Sequence, residues 1–161
     1  MTTTPLETAQ TTQVYQLFIK ASPERVWEAI TSSELTQRYF HGAVFEGAPV
    51  VGRQWRSWTA DRSQLLTDGE ILEVEPPRRF VHGWRALYDE ETALEAESRV
   101  TWELEPQEGG YTKLTVIHDR LEASPKTAAG VAGGWMFILS SLKTLVETGE
   151  PIIDFSKGES E

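Results

Sequence analysis

Apolar and polar residues alternate along several short stretches of this chain and then settle into a helical repeat near its end. Val14 to Lys20 is β-branched and aromatic, with Tyr15, Leu17 and Ile19 on one face, and predicts a first strand. Ser22-Pro23 predicts a helix start. Ser22 supplies a capping oxygen, and Pro23 suits the first helical position, where its missing N–H has no partner to lose. Val26, Trp27 and Ile30 form the apolar stripe of that helix, and a second short helix is expected from Glu34 to Tyr39.

From Ala43 the period changes to that of strands. Ala43 to Glu46, Arg53 to Thr59, Gly69 to Glu75, Arg79 to Ala86, Ser98 to Glu105 and Tyr111 to Asp119 read as extended. Gly47 to Pro49, Asp61 to Ser63, Pro76-Pro77, Tyr88 to Thr92 and Gln107 to Gly110 punctuate them. Consecutive strands with short turns predict an antiparallel meander and an α+β fold. Ser124-Pro125 repeats the earlier helix opening. Trp135, Ile138, Leu142 and Leu145 recur at helical spacing, with Val131, Leu139 and Val146 widening the stripe. Gly149 and Pro151 are placed to close this helix.

A long amphipathic helix must bury its stripe, and one face of the sheet is the only large apolar surface available. Alternation assigns Phe80, His82 and Trp84 to that face, with Val100, Trp102 and Leu104, and with Thr112, Leu114, Val116 and His118. Trp55 and Ser57 are expected to join them. Ile71 and Val74 both read as buried but have opposite parity, which a bulge would reconcile. Bulky rings with polar tips, set between a curved sheet and a straight helix, predict a partly open cavity with aromatic walls.

Composition narrows the setting. A chain of 161 residues makes one domain, expected over 13–150, with polar tails at 1–12 and 151–161. There are no cysteines, which excludes disulfides and thiolate chemistry and suits a reducing cytoplasm. The net charge of -10 disfavours nucleic acid and anionic membranes. No uninterrupted apolar run approaches the roughly 20 residues of a membrane span, so no membrane insertion is expected.

Several residues could carry chemistry. His118 reads either as a ligand partner or proton-transfer group, or as a histidine satisfied at the rim. His82 could pair with Glu70 across adjacent strands and serve as a base, or be an ordinary cross-strand neighbour. Arg85 points outward unless a bulge reverses it. His41, His82 and His118 lack the short spacing of a metal site, so neither metal nor cofactor is expected. Gly130, Gly133 and Gly134 are not a phosphate loop; they let the helix pass close to the sheet, or let it move as a gate. The acidic stretch Asp89 to Glu97 is a solvated loop or a mobile flap.

Ala21-Ser22-Pro23-Glu24-Arg25-Val26-Trp27 and the residues to Thr31 resemble the opening of the SRPBCC (START/birch-pollen-allergen-like) superfamily. Gly69 to Phe80 followed by Trp84 resembles its branch of activator of heat-shock protein 90 ATPase homologue-like proteins. So do Leu114 to His118, and Gly134-Trp135 followed by Leu142 to Leu145. The resemblance runs from Gln13 to Thr148 and implies a helix-grip fold. In that fold about seven antiparallel strands curve round the C-terminal helix, with two short helices after the first strand. It also implies a range of roles. One is binding of a hydrophobic or aromatic small molecule, including natural-product binding or self-resistance. Another is a cyclase or dehydratase using His118 with His82 or Glu70. A third is a chaperone partner, ranked last because the surface is so acidic. The favoured reading is a ligand binder rather than an enzyme, with Trp55, His82, Trp84, Trp102, Val116, His118, Trp135 and Ile138 around the ligand.

Overall fold

The computed structural model describes residues 11–157. β1 (Gln13–Ile19) leads into α1 (Pro23–Thr31) and α2 (Ser33–Tyr39), then β2 (Val44–Phe45), β3 (Ser57–Trp58), β4 (Leu65–Asp68), β5 (Ile71–Glu75) and β6 (Arg79–Ala86). A single turn, α3 (Glu90–Ala93), precedes β7 (Ser98–Gln107), β8 (Tyr111–Asp119) and the long α4 (Pro125–Thr148). All strand pairs are antiparallel, in the order β1-β8-β7-β6-β4-β3-β2, with β5 also on β6.

β4 and β5 occupy the same edge of β6, so they act as one strand broken at Gly69-Glu70. The break is built from close backbone approach. A Cβ on Gly69 would sit 2.0 Å from the Gly83 carbonyl oxygen, and one on Gly83 would collide with the Glu97 carboxylate. That carboxylate accepts the Glu70 N–H at 3.1 Å. Counted this way the sheet has the strand number the helix-grip resemblance implies.

A register shift between Ile71 and Glu73 lets Ile71 bury fully while Val74 also packs on the core, as the parity conflict demanded. The strand expected from Arg53 to Thr59 is mostly irregular: only Ser57 and Trp58 join a ladder, with an isolated Gln54–Glu70 bridge. β4 went unforeseen, because adjacent Leu65 and Leu66 show no alternation.

α1 starts as expected, with Ser22 Oγ accepting the Arg25 N–H at 3.3 Å. α4 does not. Ser124 turns its hydroxyl to the Ala96 carbonyl, and the cap is Glu95, whose carboxylate takes the N–H groups of Lys126 (2.9 Å) and Thr127 (2.8 Å). The acidic stretch is largely exposed, as a solvated loop would be, but Glu95, and Glu91 through Lys126 at 3.0 Å, tie it to the helix. α4 ends at Gly149, whose φ of 93° and N–H to the Leu145 carbonyl (2.8 Å) form the C-terminal cap.

By length and composition α4 is apolar enough to cross a membrane. Its apolar stripe, from Val131 through Trp135 and Leu142 to Val146, instead packs with Val100, Trp102, Leu114 and Val116 in one core. The close approach expected of Gly130, Gly133 and Gly134 is not there: a Cβ at any of them would meet nothing within 4 Å. Beyond α4, Asp154 pairs with Arg38 of α2 at 3.0 Å, and Phe155 rests near His41. The tail expected at 1–12 lies outside the described residues except for its last two.

Candidate functional site

The first half of α4 and the short strands β3 and β4 do not close on each other. Between them lies a cavity of about 380 Å³, within the range of small-molecule sites. Phe40 and Ala43 reach it from the α2–β2 turn, Leu66 from β4, Trp84 from β6, and Val131, Trp135 and Ile138 from α4. His41, Tyr88 and Gly130 are exposed members of the lining. Among the described residues no charged side chain lines it.

Two buried polar features interrupt the apolar wall. Ser57 and Thr67 face each other across β3 and β4, and their hydroxyls hydrogen-bond at 2.5 Å. Trp84 also lines the cavity, and its indole N–H is buried without an acceptor among the described residues. Buried donors are rarely left so, because the desolvation cost is uncompensated.

Behind this wall the two inward histidines meet the tryptophans. The Trp135 indole N–H donates to His118 Nδ1 at 3.0 Å. An indole nitrogen only donates, so Nδ1 is the unprotonated nitrogen. His118 Nε2 then donates to Ser98 Oγ (2.8 Å), which donates to the Trp84 carbonyl (3.0 Å). His82 repeats the scheme: Trp102 donates to Nε2 at 3.1 Å, and Nδ1 donates to the Gly83 carbonyl at 2.8 Å.

Both rings are neutral, with every nitrogen engaged. Burial pushes His82 down to about 4 against the weak opposing pull of the Gly83 carbonyl. Burial, joined by the cost of placing a second positive charge near His82, pushes His118 down to about 3 against the smaller opposing pull of Asp119.

Of the residues expected around a ligand, Trp84, Trp135 and Ile138 line the cavity. Trp55, His82, Trp102, Val116 and His118 sit in the core behind them, with Trp55 stacked on Phe45 at 5.2 Å. Glu70 is exposed at the strand break, where its carbonyl takes the Gly83 N–H. Ile71, not Glu70, stands opposite His82, so the expected His82–Glu70 pair does not form. Arg85 pairs outward with both oxygens of Asp68 at 3.1 Å.

Phe40, Leu66, Thr67 and Tyr88 escaped sequence reasoning. They come from a helix end, a four-residue strand and a loop, where no period marks an inward face. Among the described residues no three metal-ligating side chains gather.

The sequence profile of the family described as activator of Hsp90 ATPase homolog 1-like protein matches residues 20–147. No curated protein sequence matches the chain. Among solved structures, DynU16, a putative protein in the dynemicin biosynthetic locus, superposes with a TM-score of 0.73 at 23% identity. That match covers 91% of this chain and 51% of DynU16, so this chain spans about half the length of that relative. CalU16 from Micromonospora echinospora aligns with a TM-score of 0.66 at 23% identity, covering 89% of this chain and 83% of its own. PFC0360w, an Hsp90 activator from Plasmodium falciparum, aligns with a TM-score of 0.66 at 22% identity, covering 88% and 99%.

Proposed function

Because the chain belongs to the activator of Hsp90 ATPase homolog 1-like family, in which fold alone fixes no activity, we propose its role from the cavity: it binds a hydrophobic or aromatic small molecule between α4 and the β3–β4 pair. The observation that carries this reading is the cavity of about 380 Å³ walled by Phe40, Trp84 and Trp135. Aromatic walls offer flat apolar surface at little conformational cost. DynU16 belongs to a natural-product locus, which supports a natural-product ligand as the finer form of the proposal.

The histidines favour binding over catalysis. Each has both ring nitrogens engaged in hydrogen bonds and is held neutral, so neither has a lone pair free to take a substrate proton. A chaperone-partner role rests on the family description and the Plasmodium neighbour alone.

Binding is tested by tryptophan fluorescence and thermal melts against a panel of planar apolar molecules. Ligands that fit should quench Trp84 and Trp135 and raise the melting temperature. At about 100 times the dissociation constant they should add about 2.7 kcal/mol. Gly134→Leu places a side chain in open space beside the cavity and improves helix propensity. It should abolish binding while leaving the fold at least as stable. A panel that shifts nothing overturns the proposal.

A further inference from the structure

The buried wall has two donors to spare, one hydroxyl proton and one indole N–H. The Ser57–Thr67 pair holds two hydroxyl protons, and the bond between them uses one. The other proton finds no acceptor among the described residues. Both side chains are nearly fully buried, at 1% and 5% exposure, so water does not freely supply that acceptor. Independently, Trp84 offers its unpartnered N–H from the same wall. The remaining polar lining groups, His41 and Tyr88, are exposed and reach solvent.

We infer that the ligand is an uncharged, flat apolar molecule carrying a carbonyl-type oxygen, which accepts the spare proton of the Ser57–Thr67 hydroxyl pair. This rests on the reading of the cavity as a binding site and names the chemical class it takes. A ketone, quinone or lactone oxygen brings lone pairs and no proton, the complement of a wall with donors to spare. An ionised ligand fits poorly. Among the described residues no charged side chain lines the cavity to pair with it, and burying an unpaired ion is costly. A carboxylate would in addition meet a protein of net charge -10.

Three planar probes on one ring skeleton separate the possibilities: fluorene, 9-fluorenone and ionised 9-fluorenone-2-carboxylate. Calorimetric titration of the intact chain should show fluorenone binding at least about tenfold more tightly than fluorene, the margin of one buried hydrogen bond. The carboxylate should bind at least about tenfold more weakly than fluorenone. The infrared carbonyl stretch of bound fluorenone should lie below its position in an apolar solvent.

In the Ser57→Ala/Thr67→Val variant the fluorenone preference should vanish while fluorene still binds. Equal binding of fluorene and fluorenone to the unaltered chain overturns the inference but leaves the cavity reading standing. So does a preference that survives the double variant. Failure of all three probes to bind overturns the inference, and the cavity reading falls with it when the wider planar panel also shifts nothing. Should the variant not fold, the unaltered chain's selectivity and the infrared shift decide alone.

Discussion

At the residue scale, two indoles each hydrogen-bond a buried imidazole. His82, Val100 and His118 lie in one row across β6, β7 and β8, and Phe80, Trp102 and Val116 lie in the next. Parity along each strand placed these side chains on the inner face. It did not reveal that Trp102 reaches His82, or that Trp135 arrives from α4 to meet His118. Faces are local properties of a strand, whereas partners depend on register and on an element far away in sequence.

The pairs make acid a specific stress. Folded, both rings bind protons less readily than the unfolded chain, whose histidines titrate near 6.5. The unfolded state therefore binds more protons below that pH, and stability must fall on acidification from about 6.5 towards 4. At pH 5 each histidine should cost about 2 kcal/mol relative to pH 7. Urea melts at the two pH values measure this; an unchanged midpoint would show that the rings are not buried and neutral. Trp135→Phe strands a buried acceptor on His118 and should destabilise by about 1–3 kcal/mol at pH 7.

At the element scale, α4 carries two opposed features. Gly130, Gly133 and Gly134 weaken its first half with no steric need for them, while the Glu95 carboxylate holds its first turn. Gly133→Ala should raise stability by about 0.5–1 kcal/mol in thermal or urea melts. Glu95→Ala removes the acceptor for two backbone donors and should cost about 1 kcal/mol. A Glu95→Ala chain as stable as the parent would mean that water caps the helix as well. The Ser-Pro signature located both long helix starts, yet only Ser22 caps with its side chain. Ser124 was already engaged by Ala96, a contact from a segment that sequence patterns assigned to solvent. The stripe of α4 was legible because its period spans many turns. β3 and β4 were not, because two to four residues hold too little of any period.

At the scale of the whole molecule, the ladders are unevenly distributed. β7 and β8 share nine residue pairs and β1 and β8 seven, whereas β2–β3, β3–β4 and β4–β6 share two each. The broad outline, a curved sheet round a C-terminal helix, was readable from the long ladders. A cavity beside that helix was also readable, with Trp84, Trp135 and Ile138 on its wall; its opposite wall was not, because it lies against the short ladders.

That unevenness has a kinetic counterpart. Backbone amides in short ladders exchange their hydrogens through small local openings, whereas those in long ladders wait for global unfolding. In deuterated water the amides of β7 and β8 should therefore be the last to exchange, and those of β2 to β4 should exchange much sooner. An occupant of the cavity would tether the quick half to α4. Slowed exchange at Phe45, Ser57 and Thr67, with β7 and β8 unaltered, would then map an occupied cavity by the clock of its own backbone.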